Sequence, residues 1–379
     1  MTTTRPAGLV PGPAIYEDLR RLAGSGPVVK VLLHGRLPAW LLTRPEDIAH
    51  AAVDPRLTSD GSFLSDGTSS VKFGFMGVDG AAHARLRRSA TSALSPRRVR
   101  ALRPYLHRIT DDAVGAVLPA GHADLVTDVA LPIAMRVICE LLGVPVDERD
   151  HFQGAANEML VPSGDRAPAR LRLFDYLTTL VRDERPECGV LPALAATDAL
   201  SEWEVVETAA LLLVAGYQTT ADLIGSAMLA LIEHPEQLRA LRDGTSTADK
   251  AIEELLRYCG PMAIGVTRYT KEAVTLAGTT IPAGERVVLG LGSANRDPHR
   301  YAGSDRLDLT REPAGHFSFG RGPHYCLGAS LAQLEAEVVI TTLCRRLRGL
   351  RLAAEPVWHT TIFSGVAHLP VAFTAVHGA

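Results

Sequence analysis

Three observations predict a mainly α protein with small β-sheets. Helical periodicity covers most of the chain, β-patterned runs are confined to its beginning and to the stretch after Gly260, and no regular strand–helix–strand alternation occurs. The 379 residues show no internal repeat and no long linker, so residues 1–379 are expected to form a single catalytic-sized unit. After a Pro- and Gly-rich start, residues 15–23 read as a short helix. The apolar runs 28–33 and 39–43, separated by a stretch containing Gly35, read as a hairpin. From Glu46 a 3.6-residue period takes over, with helices expected near 45–54, 80–93, 99–117, 125–142, 167–183, 202–233, 235–242 and 248–258. Residues 54–78 are rich in Gly, Ser and Asp yet carry Phe63, Phe73, Phe75 and Met76, the pattern of a polar loop that covers something. Short strands are expected within 266–277, 279–281 and 287–291, with a turn at Pro282-Ala283-Gly284-Glu285, and a last helix from about Cys326 to Arg348.

Composition narrows the function. The 39 basic and 42 acidic residues leave a net charge of −3, which gives no general attraction to nucleic acid or to an anionic membrane. With 46% hydrophobic and 21% charged residues the chain is neither disordered, collagen-like nor a coiled coil. No basic segment followed by an apolar stretch opens it, and its longest apolar run, residues 209–215, is far short of the roughly 18 needed to span a bilayer. A soluble cytoplasmic protein is expected. Five cysteines, odd in number and without a CxxC pair, argue against a disulfide framework or a structural zinc site.

The sharpest local feature is Phe319-Gly320-Arg321-Gly322-Pro323-His324-Tyr325-Cys326-Leu327-Gly328, leading into an apolar-periodic helix. A cysteine at a helix start meets unpaired N–H groups and the positive end of the dipole, which favours its thiolate and suits it to bind a metal. The glycines remove Cβ atoms where the backbone must turn tightly against a flat ligand. A phosphate loop is the competing reading of Gly320-x-Gly322, but Pro323 and Cys326 stand where its last glycine would be needed, and no strand clearly precedes it.

The spacing Phe319-x-x-Gly322-x-x-x-Cys326-x-Gly328 resembles the haem-binding signature of the cytochrome P450 family of haem-thiolate monooxygenases. That resemblance implies the family's helical fold, haem b as cofactor and Cys326 as the metal ligand, with Phe319 and Gly328 as cofactor contacts. Other segments resemble the family in the same chain order. Ala215-Gly216-Tyr217-Gln218-Thr219-Thr220 resembles the helix crossing the oxygen-binding face, where small residues leave room for a diatomic ligand and a Thr hydroxyl bonded to the carbonyl four residues back opens a groove. Thr219 and Gln218 then take the catalytic positions. The family usually has Asp or Glu where this chain has Gln218, and an amide can orient water but cannot titrate.

Glu254 and Arg257 resemble the family's ExxR pair, with a structural role; Glu253 is the alternative register, and Arg306 or Arg311 is the expected third member. His83 and Arg87 share a helical face, and with Arg268 and His324 they resemble the residues that hold the haem propionates, where Arg offers bidentate charge-assisted bonds. Substrate contacts are expected from Phe75, Leu212, Ala215, Gly216, Ile264, Ile362 and Phe363.

The resemblance therefore implies activation of O2 to hydroxylate or epoxidise a hydrophobic small molecule, in natural-product metabolism. Two electrons would come from a ferredoxin or flavodoxin with its reductase. The carrier would dock where Arg85, Arg88, Arg321, Arg345 and Arg346 present positive charge. Oxidative coupling or cyclisation without oxygen insertion is the alternative within the enzyme class. A non-catalytic haem sensor or carrier is the alternative outside it.

Overall fold

The computed structural model describes residues 7–10, 12–64, 74–160, 167–182, 189–197, 199–359 and 363–375. The N-terminal part supplies β1 (Ala7–Leu9), α1 (Ile15–Ala23), β2 (Val28–Leu33), β3 (Leu37–Leu42), α2 (Pro45–Ala51) and β4 (Leu57–Thr58). Then come α3 (Gly80–Ala93), α4 (Pro96–Ala101), α5 (Arg103–Val117), β5 (His122–Asp124), α6 (Leu131–Leu142), α7 (Arg149–Leu160), α8 (Ala167–Arg182) and α9 (Val190–Ala195). The longest helix, α10 (Glu202–Glu233), is followed by α11 (Pro235–Arg242) and α12 (Ala248–Cys259). The strands β6 (Arg268–Thr270), β7 (Val274–Leu276), β8 (Thr279–Ile281) and β9 (Arg286–Leu289) precede α13 (Leu291–Asn295) and α14 (Ala329–Arg346). The chain closes with β10 (Leu347–Leu352), β11 (Val357–Trp358), β12 (Val366–His368) and β13 (Pro370–Ala375).

The fold is mainly α with small sheets, as the pattern predicts. The largest sheet has the order β1-β2-β3-β9-β6-β4. Its hairpin β2–β3 pairs Val28 with Leu42, and β3 runs parallel to β9 with Trp40 opposite Val287. That pairing joins the start of the chain to a segment some 250 residues on, and β6 places Arg268 against Val287 on the next strand. β10, β13 and β5 form a second sheet, and β11 pairs with β12 in a short hairpin.

α10 is the axis of the helical part. Ser201 and Glu204 form a reciprocal capping box at its start, and Pro235 follows its end. Its length is about 48 Å at 1.5 Å per residue. Apolar almost all round, it is buried against α6, α8 and α14, as such a helix must be.

Some elements depart from the sequence reading. The helix expected over 99–117 breaks at Leu102, because Pro104 has no N–H to donate and is best placed at a helix start, where α5 puts it. The expected helix 125–142 opens with π turns over Leu125–Ala130 before α6, whose first turn holds Pro132. The last helix begins at Ala329, leaving Cys326 in the loop that precedes it. β1, β4, β5, α7, α9, α13 and β10–β13 have no counterpart in the pattern-based expectation. Among the described residues no helix is long and apolar enough to cross a membrane.

Candidate active site

The cysteine loop is held by its own backbone. Cys326 N–H donates to Phe319 O at 2.8 Å, and Gly320 N–H donates to Phe317 O at 2.7 Å. Gly320 and Gly322 adopt φ of +71° and +72°, conformations that favour glycine. At Gly322 a Cβ would lie 2.7 Å from Ala52 O, so the loop can seat against α2 only without a side chain there. Phe319 is buried, its ring 6.1 Å from that of Tyr325. Next to Cys326, Leu327 packs on a cluster of Phe75, Leu86, Ala90 and Leu211, which brings the loop beside α3 and α10. Burial pushes the Cys326 thiol above its ordinary range, while the Gly328 N–H and the Arg87 guanidinium pull it down. The helix end acts in the expected sense, but desolvation outweighs it, so the loop alone does not favour a thiolate. A bound cation is the usual means of displacing such a proton.

Beside the loop lies a group of donors that are not fully used. His83 and Arg268 are both buried, and neither His83 Nε2 nor Arg268 Nη1 has a partner. Burial, then the charges on His324 and Arg87, lowers the His83 imidazole to about 4, and burial lowers Arg268. The His83 ring stands 4.1 Å from that of His324. Arg87 spends one bond on Tyr325 O. His324 is differently engaged from the expectation: its Nε2 lies 2.8 Å from Asp79 Oδ1 and 3.3 Å from Ser59 Oγ. Asp79 was missed by sequence reasoning. Although burial opposes it, bonds from His324, Thr58 and Ser59 hold its carboxyl well below the usual carboxylate range. A buried guanidinium and imidazole with idle donors cost stability unless an acceptor meets them, and a dianionic ligand supplies that acceptor. The residues present therefore fit a flat ligand bearing two carboxylates. The open space on the side-chain faces of Gly320 and Gly328 agrees with this.

α10 carries the other half of the site. Buried on both sides, it is exposed at Ala215 and partly exposed at Val214, Gly216, Gln218 and Thr219. Thr219 Oγ1 donates to Ala215 O at 2.5 Å, the back-bond that loosens a helix locally. Gly216 serves another purpose than the expected one. A Cβ there would lie 2.7 Å from Ile138 Cδ1, so its lack of a side chain makes room for α6. Gln218 is tied to Asp222 and His359, neither of which the motif reading singled out.

Of the expected pocket residues, Phe75 is buried in the cluster with Leu86 and Leu211, its ring edge-on to His83 at 6.2 Å. Leu212 is buried in the main core, and Ile264 packs at the margin of the cluster around Leu9 and Ile15. Phe363 is half-buried, and Ile362 lies outside the described residues. Glu254 and Arg257 are both buried and bonded through two contacts of 2.7 and 2.8 Å. The third arginine is Arg311, 3.1 Å from Glu254, whereas Arg306 contributes only its carbonyl to Arg257. Arg85 does not stand free for a carrier. It bonds Glu204 and Ala199 O at the start of α10. Arg346 lies 3.6 Å from Asp111, and Arg321 lies over the Phe317 ring at 4.3 Å.

With its cysteine loop framed by glycines, unused buried donors beside it and a long helix exposed at Ala215, this helical protein is suited to a flat anionic cofactor. A family model described as Cytochrome P450 matches residues 190–367. Cytochrome P450 107B1 of Saccharopolyspora erythraea is 39% identical over 371 residues, covering 91% of this chain and 92% of the relative. The Vitamin D(3) 25-hydroxylase of Pseudonocardia autotrophica is 39% identical over 381 residues, covering 95% and 93%. Among solved structures, the cytochrome P450 enzyme CxnD, described as acting in C–S bond formation in chuangxinmycin biosynthesis, superposes with a TM-score of 0.89 at 31% identity, covering 99% of this chain and 100% of that one. The chain belongs to the cytochrome P450 family. It is a haem b oxidoreductase of the monooxygenase class, and the reading of a non-catalytic carrier falls.

Proposed function

We propose that residues 1–379 form one cytoplasmic catalytic unit that inserts oxygen into a hydrophobic small molecule of natural-product metabolism. Support comes above all from the cysteine loop lying beside buried, unpartnered donors at His83 and Arg268. Cys326 would supply the thiolate that binds the haem iron. Phe319 packs behind it, and Gly328 leaves the ligand face clear. Arg268, Arg87 and His83 would hold the propionates, while His324, fixed by Asp79, stands beside His83. When bound, haem supplies the centre at which O2 is activated, its thiolate ligand favouring O–O cleavage. Each turnover consumes O2, two electrons and two protons, leaving one oxygen atom in the product and the other in water. Thr219 holds a partly exposed hydroxyl beside Ala215, able to fix a water through which a proton passes. Ala215 is exposed there without a bulky side chain, and Phe363 supplies apolar surface for the substrate. The electrons come from a ferredoxin or flavodoxin with its reductase, the donors the family normally uses.

The experiment is a screen of apolar compounds by the Soret shift that accompanies substrate binding, followed by turnover of a hit under 18O2. One labelled oxygen atom in the product is the expected result. Unlabelled product lacking two hydrogens would instead establish oxidative coupling. That second reading is supported by the neutral Gln218 and by the likeness to CxnD.

A further inference from the structure

Oxygen activation consumes protons, and the side chain next to Thr219 cannot supply one. A titratable group nevertheless stands one turn further along α10. Asp222 is fully buried, and Gln218 Nε2 donates to its Oδ1 at 2.8 Å. His359 Nε2 lies 3.0 Å from the same oxygen and 3.1 Å from Gln218 Nε2. The second oxygen, Asp222 Oδ2, is buried without a partner. His359 follows β11 and is 20% exposed, so the contact links solvent to the carboxyl.

This meeting is built into the backbone. His359 N–H donates to Gly365 O at 3.1 Å, which fixes the hairpin of β11 and β12. At Gly365 a Cβ would lie 2.4 Å from Asp222 Cβ, so only glycine lets that hairpin seat on α10 and bring His359 to Asp222. As a packing device the carboxyl is a poor choice. A buried acid with one oxygen idle costs stability that an apolar residue of similar size would not. One turn on, the Ser226 hydroxyl is also buried without a partner. The face of α10 along Gln218, Asp222 and Ser226 is thus polar and incompletely satisfied, a departure from apolar packing that calls for an explanation.

We propose that Asp222 and His359 together hold the proton that this site consumes, and that Gln218 couples the pair to Thr219. The proposal rests on the monooxygenase reading. His359 takes a proton from solvent and passes it to the Asp222 carboxylate. Asp222 yields it to a water oriented by the Gln218 amide and the Thr219 hydroxyl, and is recharged through His359. No electrons move in these steps. Burial, opposed by His359 and Gln218, raises the Asp222 carboxyl above its ordinary range, which keeps a proton available there. Among the described residues, His359 is the one charged or titratable group acting on it. Gln218 faces it from α10, and the Gly365 backbone from the hairpin. Asp222 and His359 act through Gln218 and are positioning and proton-holding residues.

The test compares Asp222→Asn, His359→Gln and Asp222→Asn combined with Gln218→Glu, each loaded with haem and reduced through a surrogate electron chain without substrate. The reading is the fraction of consumed O2 released as hydrogen peroxide rather than water. That fraction should rise several-fold in both single variants and lose its pH dependence. Gln218→Glu should return it to the wild-type level in the Asp222→Asn background, since the acid is then restored one turn earlier. Infrared difference spectra across a pH step, on haem-free protein, should show a buried protonated carboxyl that is absent in Asp222→Asn and displaced in His359→Gln. Wild-type peroxide fraction and pH profile in folded His359→Gln would overturn the proposal, and that partly exposed position decides the matter if Asp222→Asn fails to fold. Failure of Gln218→Glu to restore the balance would overturn it as well. Either failure, with labelled oxygen still entering product in the wild type, removes the pair and leaves the monooxygenase reading standing.

Discussion

Replacing Arg257 with Met removes the cation at the centre of a buried network while keeping an unbranched apolar stem. In the native fold Arg257 meets Glu254 through two bonds and donates to the carbonyls of Asn295, Ser304 and Arg306 at 2.8, 2.7 and 3.0 Å. Its side chain and that of Glu254 are each 2% exposed, so solvent cannot take over. Breaking one partner out of a buried pair costs about 3–5 kcal/mol, because the remaining charge is left without compensation. Arg311 and the Asp308 N–H still hold Glu254, at 3.1 and 3.0 Å, which favours the lower half of that range. Against a total stability of about 5–15 kcal/mol the variant still folds, but melts lower. At about 1.3 °C per kcal/mol for a chain of this size, the expected drop in Tm is roughly 4–5 °C by calorimetry. Arg20→Met is the control. That arginine is 63% exposed and 3.5 Å from Asp305, an ion pair worth less than about 1 kcal/mol. A drop for Arg257→Met no larger than that of the control would refute the reasoning.

Three further outcomes follow from particular contacts. Gly365→Ala places a methyl 2.4 Å from Asp222 Cβ and should destabilise the protein by about 1–3 kcal/mol as the β11–β12 hairpin lifts, read by denaturant titration. Asp79 is depressed below its ordinary value of 3.8, so the stability it contributes is full above that pH and is lost as pH falls through its lower folded value. Asp79→Asn should therefore flatten the acid limb of the stability–pH curve and leave its slope above pH 5 unchanged. Arg268→Ala removes a buried donor that has no protein partner at Nη1, and should speed haem loss to apomyoglobin at least ten-fold, in line with about 1.5–3 kcal/mol for a charge-assisted bond.

What the sequence revealed follows its physics. The 3.6-residue period marks α10 near 202–233, because it is a local signal. The spacing of Gly322, Cys326 and Gly328 is legible for the same reason. His83 and Arg87 could be paired by helical geometry. By contrast, nothing local shows that Gly216 is small to admit Ile138, or that His324 turns to Asp79. Asp222 hides within the apolar run of α10, and His359 lies 141 residues from Gln218 in a segment whose strands are too short to stand out. Only the seating of the last hairpin brings them together. The thiol of Cys326 teaches a related lesson: the helix terminus was visible in the sequence, whereas the burial that outweighs it is a property of the fold.

The most direct measurement is the absorption spectrum of the reduced, CO-bound protein, for the wild type and for Cys326→Ser. Ligation by the Cys326 thiolate predicts a Soret band shifted to long wavelength in the wild type, and its loss in a variant that still folds and retains haem. A wild-type spectrum without that shift, or an unchanged long-wavelength band in Cys326→Ser, would contradict the assignment of Cys326 as the haem ligand.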